Sequence, residues 1–462
     1  GGLANIDYIV VAGNGVSAAS CSSDNGNTNP DPEPDPDPVY NGNVDFSMIG
    51  YATVNAEGYA STTGGAGGAT RTISSLSELE AWAASREGNT SPEVVYINGR
   101  ITSSSSTVVT IKHGANISIL GIGSTAELQN VGLNIRNYQN VIVRNLKIRE
   151  VLYPNDALTI DECHHVWVDH CELHSKIGAG IGVDTYDGLL DIKKGSRYVT
   201  VSWCYLHDHM KCSLIGHTNS SSAQSQDSQM RITYHHNYFY NTDGRNPSLR
   251  YGAIHMFNNY FNKIGDYGLA ARVGAHALVE NNHYHDVKLP LTTDKFPVSG
   301  LPNGYICERG NLFTGNCGAN EISQSDCGWW NLPYNYTLDP ASSVATVVPA
   351  NVGVGKIASL KSAEVITGVA QIASEGLQLH QNHPNPVDGS TTFTFNLDKD
   401  SEVTLTLYDM KGRKIAVLYQ GILSAGSHSV DGGNAVAALS SGAYVYRLQA
   451  GTEVRSKMLI KR

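Results

Sequence analysis

Eight short runs rich in β-branched and aromatic residues recur between positions 94 and 285 without helical spacing: VVYI at 94, ISIL at 117, VIVRNLKI at 141, VWVDHCEL at 166, VTVSWCYL at 199, ITYHHNYF at 232, IHMFNNYF at 254 and LVENNHYH at 278. Aligning the aromatic or aliphatic pair in each places Asn145, Cys171, Cys204, Asn237, Asn259 and Asn282 at one equivalent position, at intervals of 26, 33, 33, 22 and 23 residues. A unit of that size buries its apolar face only by stacking on neighbours, and insertions swell single repeats at their loops, so the spacing predicts coils of a parallel β-helix. Asn side chains at equivalent turns would hydrogen-bond from coil to coil, because neighbouring strands lie about 4.8 Å apart. A propeller would need blades of roughly 40 residues built from hairpins, and hairpin turn signals are missing at these intervals.

Other patterns flank the repeats. Residues 24–38, DNGNTNPDPEPDPDP, alternate proline with acids and should stay extended and self-repelling. Ahead of them GGLANIDYIVVAG has one strand-like run, Ile6 to Val11, which buries nothing alone. Ser75 with Glu78 three residues on forms a capping box before Leu79, Trp82 and Ala83, predicting a helix. TTGGAGG, Thr62 to Gly68, lacks the Lys and Ser or Thr of a phosphate loop and reads as a turn. Beyond residue 377 strict alternation returns in TTFTFNL (391–397), VTLTLY (403–408) and YVYRL (444–448), with turn residues such as Asp409 to Gly412 between. These are half-buried antiparallel strands of a small β-sandwich. The expected organisation is a remnant of a preceding module at 1–20, a linker at 21–43, the β-helix at 44–358, a linker at 359–376 and the sandwich at 377–462. That is an all-β chain, in line with about three domains for its 462 residues.

The net charge of −10 includes five acids of the proline tract, Asp24, Asp31, Glu33, Asp35 and Asp37, so the folded parts lie nearer neutrality. An acidic total argues against a nucleic-acid partner, whose phosphates need a basic face. No run of 18 apolar residues is present, so no transmembrane helix is expected. The chain opens at Gly1 without a methionine, so a missing leader carries no information. Eight cysteines without a CxxC pair fit disulfides in an exported protein rather than a zinc site, and two of Cys307, Cys317 and Cys327 are expected to staple a loop. Alternating strand geometry puts His235 and His236 on opposite faces, whereas His207 and His209 could share one.

GRNPSLRYGA, at 244–253, sets Arg245 and Arg250 around Pro247 just after the run YHHNYF. Two guanidiniums fixed near a rigid turn suit a carboxylate-bearing substrate, since each presents a planar, always-charged fork. The stretch resembles the RxPxxR signature of the pectate lyases of polysaccharide lyase family 1, and the resemblance extends over about 310 residues at 44–358. It implies a right-handed parallel β-helix and cleavage of polygalacturonate by β-elimination. The tail series HPNPVDGSTTFTFNL, VTLTLYDMKGRKI, LSSGAYVYRL and SKMLIKR resembles the C-terminal sorting domain of the type IX secretion system. It implies export to the medium or the cell surface, with that machinery as a partner. The segment before the linker resembles the last strand of jelly-roll carbohydrate-binding modules; an unstructured terminus is the alternative.

Elimination at C5 of a galacturonate needs the neighbouring carboxylate neutralised, which hard calcium ions held by carboxylates can do. By resemblance the Ca2+ ligands are Asp156, Asp187 and Asp191. On a straight strand Asp187 and Asp191 would lie about 13 Å apart, at roughly 3.3 Å per residue, so the chain must bend and Asp187 should arrive from a loop. The resemblance makes Arg245 the base at C5 and Lys211 and Arg250 the contacts to substrate carboxylates; spacing alone implies only carboxylate binding. Arginine is a demanding base, since its pKa exceeds 12. Trp167 and Asp169 of VWVDHCEL are expected to be structural, and Lys193, Lys194 and Arg197 to be mostly ordinary exposed cations. The expectation is therefore a monomeric, endo-acting, calcium-dependent pectate lyase. The alternatives are a trisaccharide-releasing pectate lyase, a pectin lyase, a glycoside hydrolase on the same fold, or a non-catalytic sugar-binding β-helix at the cell surface.

Overall fold

The computed structural model describes residues 44–357, 360, 377–397, 399–409, 413–451 and 453–462. The expected remnant at 1–20 and linker at 21–43 lie outside the described residues, as do the second linker apart from Leu360 and the turn residues 410–412.

The β-branched runs become strands that pair in parallel, each with its equivalent in the coils before and after, giving the predicted β-helix with three faces. The first face includes His164–Asp169, Arg197–Ser202, Arg231–His235, Ala253–Phe257 and His276–Glu280. The second includes Glu172–His174, Tyr205–Lys211, Tyr238–Gly244, Tyr260–Ile264 and His283–Val287, and the third Leu158–Asp161, Leu190–Lys193, Ser213–Ile215, Ser248–Arg250 and Leu269–Arg272. The long strand Glu127–Arg144 pairs with strands of all three faces in turn. Register is constant along a face: Val141, Val166, Val199, Ile232, Ile254, Ala277 and Ile306 form one column, all buried. Inside the second face Phe239, Phe261, Tyr284 and Phe313 stack with ring centroids 4.7, 4.5 and 5.1 Å apart.

The turn from the first face to the second is made by a single residue in the left-handed region, at Asn145, His170, Trp203, His236, Asn258 and Asn281, with φ between 48° and 57°. The residue after each points inward. The Asn237 N–H and Nδ2 donate to Asn259 Oδ1 at 3.0 and 2.9 Å, Asn259 donates likewise to Asn282 at 2.8 and 2.9 Å, and Asn282 to Asn311 at 2.9 and 3.0 Å. The ladder thus runs one rung beyond the aligned positions. It does not include Asn145: because Lys147 pairs with Glu172, Leu146 is the equivalent of Cys171, and Asn145 sits in the bend column with His170. Asn145 occupies the bend whereas the asparagines of later coils occupy the inward position, so matching it to them shifts the alignment by one.

Helix Leu76–Ser85 has the predicted capping box and buries Leu79, Trp82 and Ala83 in the cluster that fills the coils. In the TTGGAGG turn a Cβ at Gly65 or Gly68 would fall 1.9 Å from the Glu93 carbonyl oxygen or 2.0 Å from that of Pro92, so close backbone approach requires glycine there. Towards the other end Cys307, in strand Tyr305–Arg309, is disulfide-bonded to Cys327. The Ile306 N–H donates to Gln324 and Thr292 bridges Glu321, so the stapled segment runs along the last strands.

The C-terminal part forms two antiparallel sheets. Thr392–Leu397 lies between Gln378–Leu379 and Gly426–Asp431, and Ser401–Asp409 lies between Lys414–Leu423 and Gly442–Ala450, with Glu453–Lys461 outermost. Phe393, Phe395, Val403, Leu405, Leu407, Tyr446 and Leu448 fill the core between them, the expected alternation.

Asn259→Ala should cost about 3 kcal/mol, because it leaves the Asn237 N–H buried without an acceptor and Asn282 short of a donor. A lower midpoint in urea unfolding, with less effect from the exposed Ser222→Ala, would report it.

Candidate active site

The proposed residues gather where the second and third faces meet. Strand Tyr238–Gly244 ends at Gly244, whose missing Cβ leaves room for the Tyr267 ring 2.9 Å away, and Arg245 turns the chain at φ 60°. Buried Asn246 fixes the turn by accepting from Thr242 Oγ1 at 2.7 Å and donating to the Tyr267 carbonyl at 2.8 Å. The Arg245 carbonyl accepts from Ser213 N. Its guanidinium makes no hydrogen bond or ion pair among the described residues. Arg250, at the end of Ser248–Arg250, is held by the Asn219 side chain at 2.9 Å and the Gly216 carbonyl at 3.0 Å.

Arg272 stands beside Arg250 in register on the next coil, its guanidinium 4.7 Å from the centre of the Phe296 ring and its Nε without a partner among the described residues. Burial, then the charges of Arg272 and Arg245, pull the Arg250 pKa down to about 10. Arg272 was missed in the sequence, although the 22-residue interval that aligns Asn237 with Asn259 also aligns Arg250 with Arg272.

The acidic side of the site comes from three segments. Asp191 lies in strand Leu190–Lys193, with Asp156 just ahead of the neighbouring strand Leu158–Asp161 and Asp187 in the loop before Leu190, as the bend argument required. Asp156 accepts from Gly188 N at 2.9 Å, from Thr159 Oγ1 at 2.8 Å and from Lys193 Nζ at 2.8 Å. Lys193 Nζ also lies 3.2 Å from Asp191, so one ammonium bridges both carboxylates and is not an ordinary exposed cation. Its position two residues from Asp191 on the same strand face was the signal for it. Lys194 and Arg197 pair away from the cluster, with Asp161 and Glu57. Asp191 is 2 % exposed, and burial together with the Asp156 charge pushes its pKa up to about 7 against the pull of Lys193 and Arg245. Asp187 is turned elsewhere: its carboxylate meets Lys211 at 3.0 Å, and Lys211 also holds Asp184 at 3.1 Å.

Two histidine expectations are corrected. Asp208 at φ 50° breaks the alternation between His207 and His209, so they do not share a face. His236 at φ 53° likewise folds back on His235, and their Nδ1 atoms lie 3.0 Å apart. His209 is buried between Ser175 and the loop: its Nε2 donates to the Asp187 carbonyl, so its Nδ1 accepts from the Ser175 hydroxyl. On the first face Asp169 is fully buried against Arg144, His170 and Ser202, and Arg144 covers the Trp167 ring, the structural roles expected.

Burial holds the His209 pKa down to about 4, partly opposed by its bond to Asp187. Between the ordinary value of 6.5 and about 4 the unfolded chain binds a proton at His209 that the folded chain refuses. This contribution is complete above pH 6.5 and is lost as pH falls, by about 3 kcal/mol at most. Asp191 runs the other way, so the His209 part is isolated by difference: urea unfolding of parent and His209→Gln at pH 7.5 and pH 4.5 should show a smaller acid loss in the variant.

The family model for pectate lyase matches residues 46–357, and that of the secretion system C-terminal sorting domain matches residues 382–462. The sorting domain marks the chain for secretion or attachment at the cell surface. Among similar proteins, a pectate trisaccharide-lyase of Bacillus licheniformis is 39% identical over 317 residues, covering 68% of this chain and 88% of its own. Pectate lyase A of Emericella nidulans is 37% identical over 314 residues, 67% of this chain and 88% of its own. Among solved structures, a pectate lyase from Bacillus sp. N165 in complex with trigalacturonate matches with TM-score 0.56 and 32% identity, over 67% of this chain and 99% of that one. Pectate lyase C from Erwinia chrysanthemi, solved with Ca2+, matches with TM-score 0.54 and 26% identity, over 67% and 97%. The parallel β-helix, the paired guanidiniums and these matches together identify a polysaccharide lyase: the chain belongs to the pectate lyase family.

Proposed function

We propose that the chain cleaves polygalacturonate internally by calcium-dependent β-elimination, with 44–358 as catalytic part and 377–462 as the part read by the type IX secretion machinery. The observation that carries this reading is the guanidinium row of Arg245, Arg250 and Arg272 set against the carboxylate pair Asp156 and Asp191. A chain acting alone as a monomer holds both halves of the site.

The donor set fits calcium. Asp156 and Asp191 crowd negative charge in a buried place, and a Cβ at Gly188 would fall 2.3 Å from Asp191 Oδ1 and 3.0 Å from Asp156 Oδ1, so glycine keeps the space beside both carboxylates open. Asp156, Asp187 and Asp191 would hold Ca2+, which when bound supplies the positive charge that neutralises a substrate carboxylate at C6. Lys211 reaches substrate only by leaving Asp187, so its availability depends on Asp187 finding another cation. Arg250, fixed by Asn219 and Gly216, presents its remaining donors to a carboxylate. Arg245 alone of the two signature arginines has an uncommitted guanidinium, which suits it to take the C5 proton as the C4 oxygen leaves. An alkaline working pH is expected of a reaction that uses arginine as its base, since arginines as a class part with a proton only there.

The relatives named pectate trisaccharide-lyase favour a second reading of product length, release of trisaccharides. Ultraviolet absorbance of unsaturated ends from polygalacturonate is the test. Signal should need calcium, fall about 10²- to 10⁴-fold in Arg245→Ala, and be weak on highly methylated pectin. Absence of unsaturated product under every condition overturns the reading; a product ladder separates internal cleavage from trisaccharide release. Gly188→Ala should keep the fold by circular dichroism while requiring at least tenfold more calcium for half-maximal rate.

A further inference from the structure

A second cluster of metal-ligating atoms lies on the outside of the second face. Glu172 and His174 come from one strand and His207 from the next, placed side by side because His174 and His207 are in register. His207 Nε2 is 3.5 Å and His174 Nε2 is 4.0 Å from Glu172 Oε1, and the three donor atoms lie within 4.8 Å of one another. Tetrahedral zinc, with bonds near 2.1 Å, asks for ligand atoms about 3.4 Å apart, so small side-chain shifts close the site.

Both imidazoles are already committed at the other nitrogen. His207 Nδ1 donates to Asp208 Oδ2 at 2.7 Å, and His174 Nδ1 donates to the Ser175 carbonyl at 3.2 Å. Those bonds fix the tautomers so that each Nε2 offers a lone pair, the arrangement by which carboxylates and carbonyls orient metal-bound histidines. His207 is 8 % exposed, and its Nε2 has no hydrogen-bond partner among the described residues. Its ring is fixed by stacking, Tyr205 at 4.0 Å and His174 at 4.4 Å. Asp208 is itself braced by the Asn241 amide. Lys147 Nζ, 2.9 Å from Glu172 Oε1, is the cation now on the carboxylate; 23 % of its side chain is exposed, and it would have to turn away for a metal to bind. Arg149, beside His174 on the preceding coil, is occupied by Glu127 and Glu150.

We propose that Glu172, His174 and His207 bind a divalent transition metal of the Zn2+ or Co2+ class, with Asp208 as the positioning residue for His207. The mixed nitrogen and oxygen donors suit these ions and not calcium, which takes oxygen ligands. The site would clamp the root of the loop that carries Asp187, because Ser175 follows His174 directly and holds His209, which holds the Asp187 carbonyl.

Titration of the full chain with Co2+ after chelator treatment tests this. One equivalent should bind with the visible absorption of a four- or five-coordinate histidine site, displaced by Zn2+, and Zn2+ should raise the melting midpoint. His174→Ala or His207→Ala should abolish both signals, Asp208→Asn should weaken binding about 10- to 100-fold, and Asp156→Asn should leave it unchanged. Absence of stoichiometric binding and of a Zn2+-dependent melting shift in the parent overturns the proposal, whether or not the variants fold. Unchanged binding in folded His207→Ala or His174→Gln overturns it equally.

Discussion

The strands of the β-helix hydrogen-bond to the coils before and after them, and that single pairing rule fixes where everything else can be. Parallel register holds equivalent residues of successive coils about 4.8 Å apart. Whatever one coil places at a position, its neighbour therefore meets with the residue at the same position. Valines and isoleucines become a continuous core, asparagines become a ladder, and Phe239, Phe261, Tyr284 and Phe313 become a stack. The same rule is indifferent to charge, and so it also sets Arg250 beside Arg272, and Thr159, whose hydroxyl donates to Asp156, beside Asp191.

Those enforced neighbours give the candidate site its electrostatic tension. Like charges are crowded on both sides, cations along Arg245, Arg250 and Arg272 and carboxylates at Asp156 and Asp191, which adds to burial in lowering the Arg250 pKa and raising that of Asp191. Lys193 relieves the acidic half by bridging it, and Lys211 relieves Asp187. A polyanion and a dication would relieve both halves at once, which is why the two ligands are expected to help each other bind.

The architecture was legible because core-facing β-branched residues return at the coil interval, and the capping box at Ser75 and Glu78 named its helix directly. Single positions were harder. The slip at Asn145 arose because asparagine serves at the bend there and at the inward position in later coils, and only strand pairing tells the two apart. The His235 and His236 reading assumed strict alternation, which a left-handed residue at every corner suspends. Arg245, Arg250 and Lys211 stood out by resemblance, whereas Arg272 and Lys193 had no motif and depend on register and face to enter the site. The turning of Asp187 towards Lys211 depends on side-chain pairing that no spacing encodes.

A stack of parallel strands has an end, and its last strand offers unpaired amides and carbonyls to any other extended chain. Here the segment leading to Cys327 lies along Ile306 and Thr292 and is tied to strand Tyr305–Arg309 through Cys307. The disulfide therefore holds that segment over part of the last strand. An oxidising exterior, where the sorting domain sends the chain, keeps that cover in place and the strand edge beneath it out of reach of other extended chains.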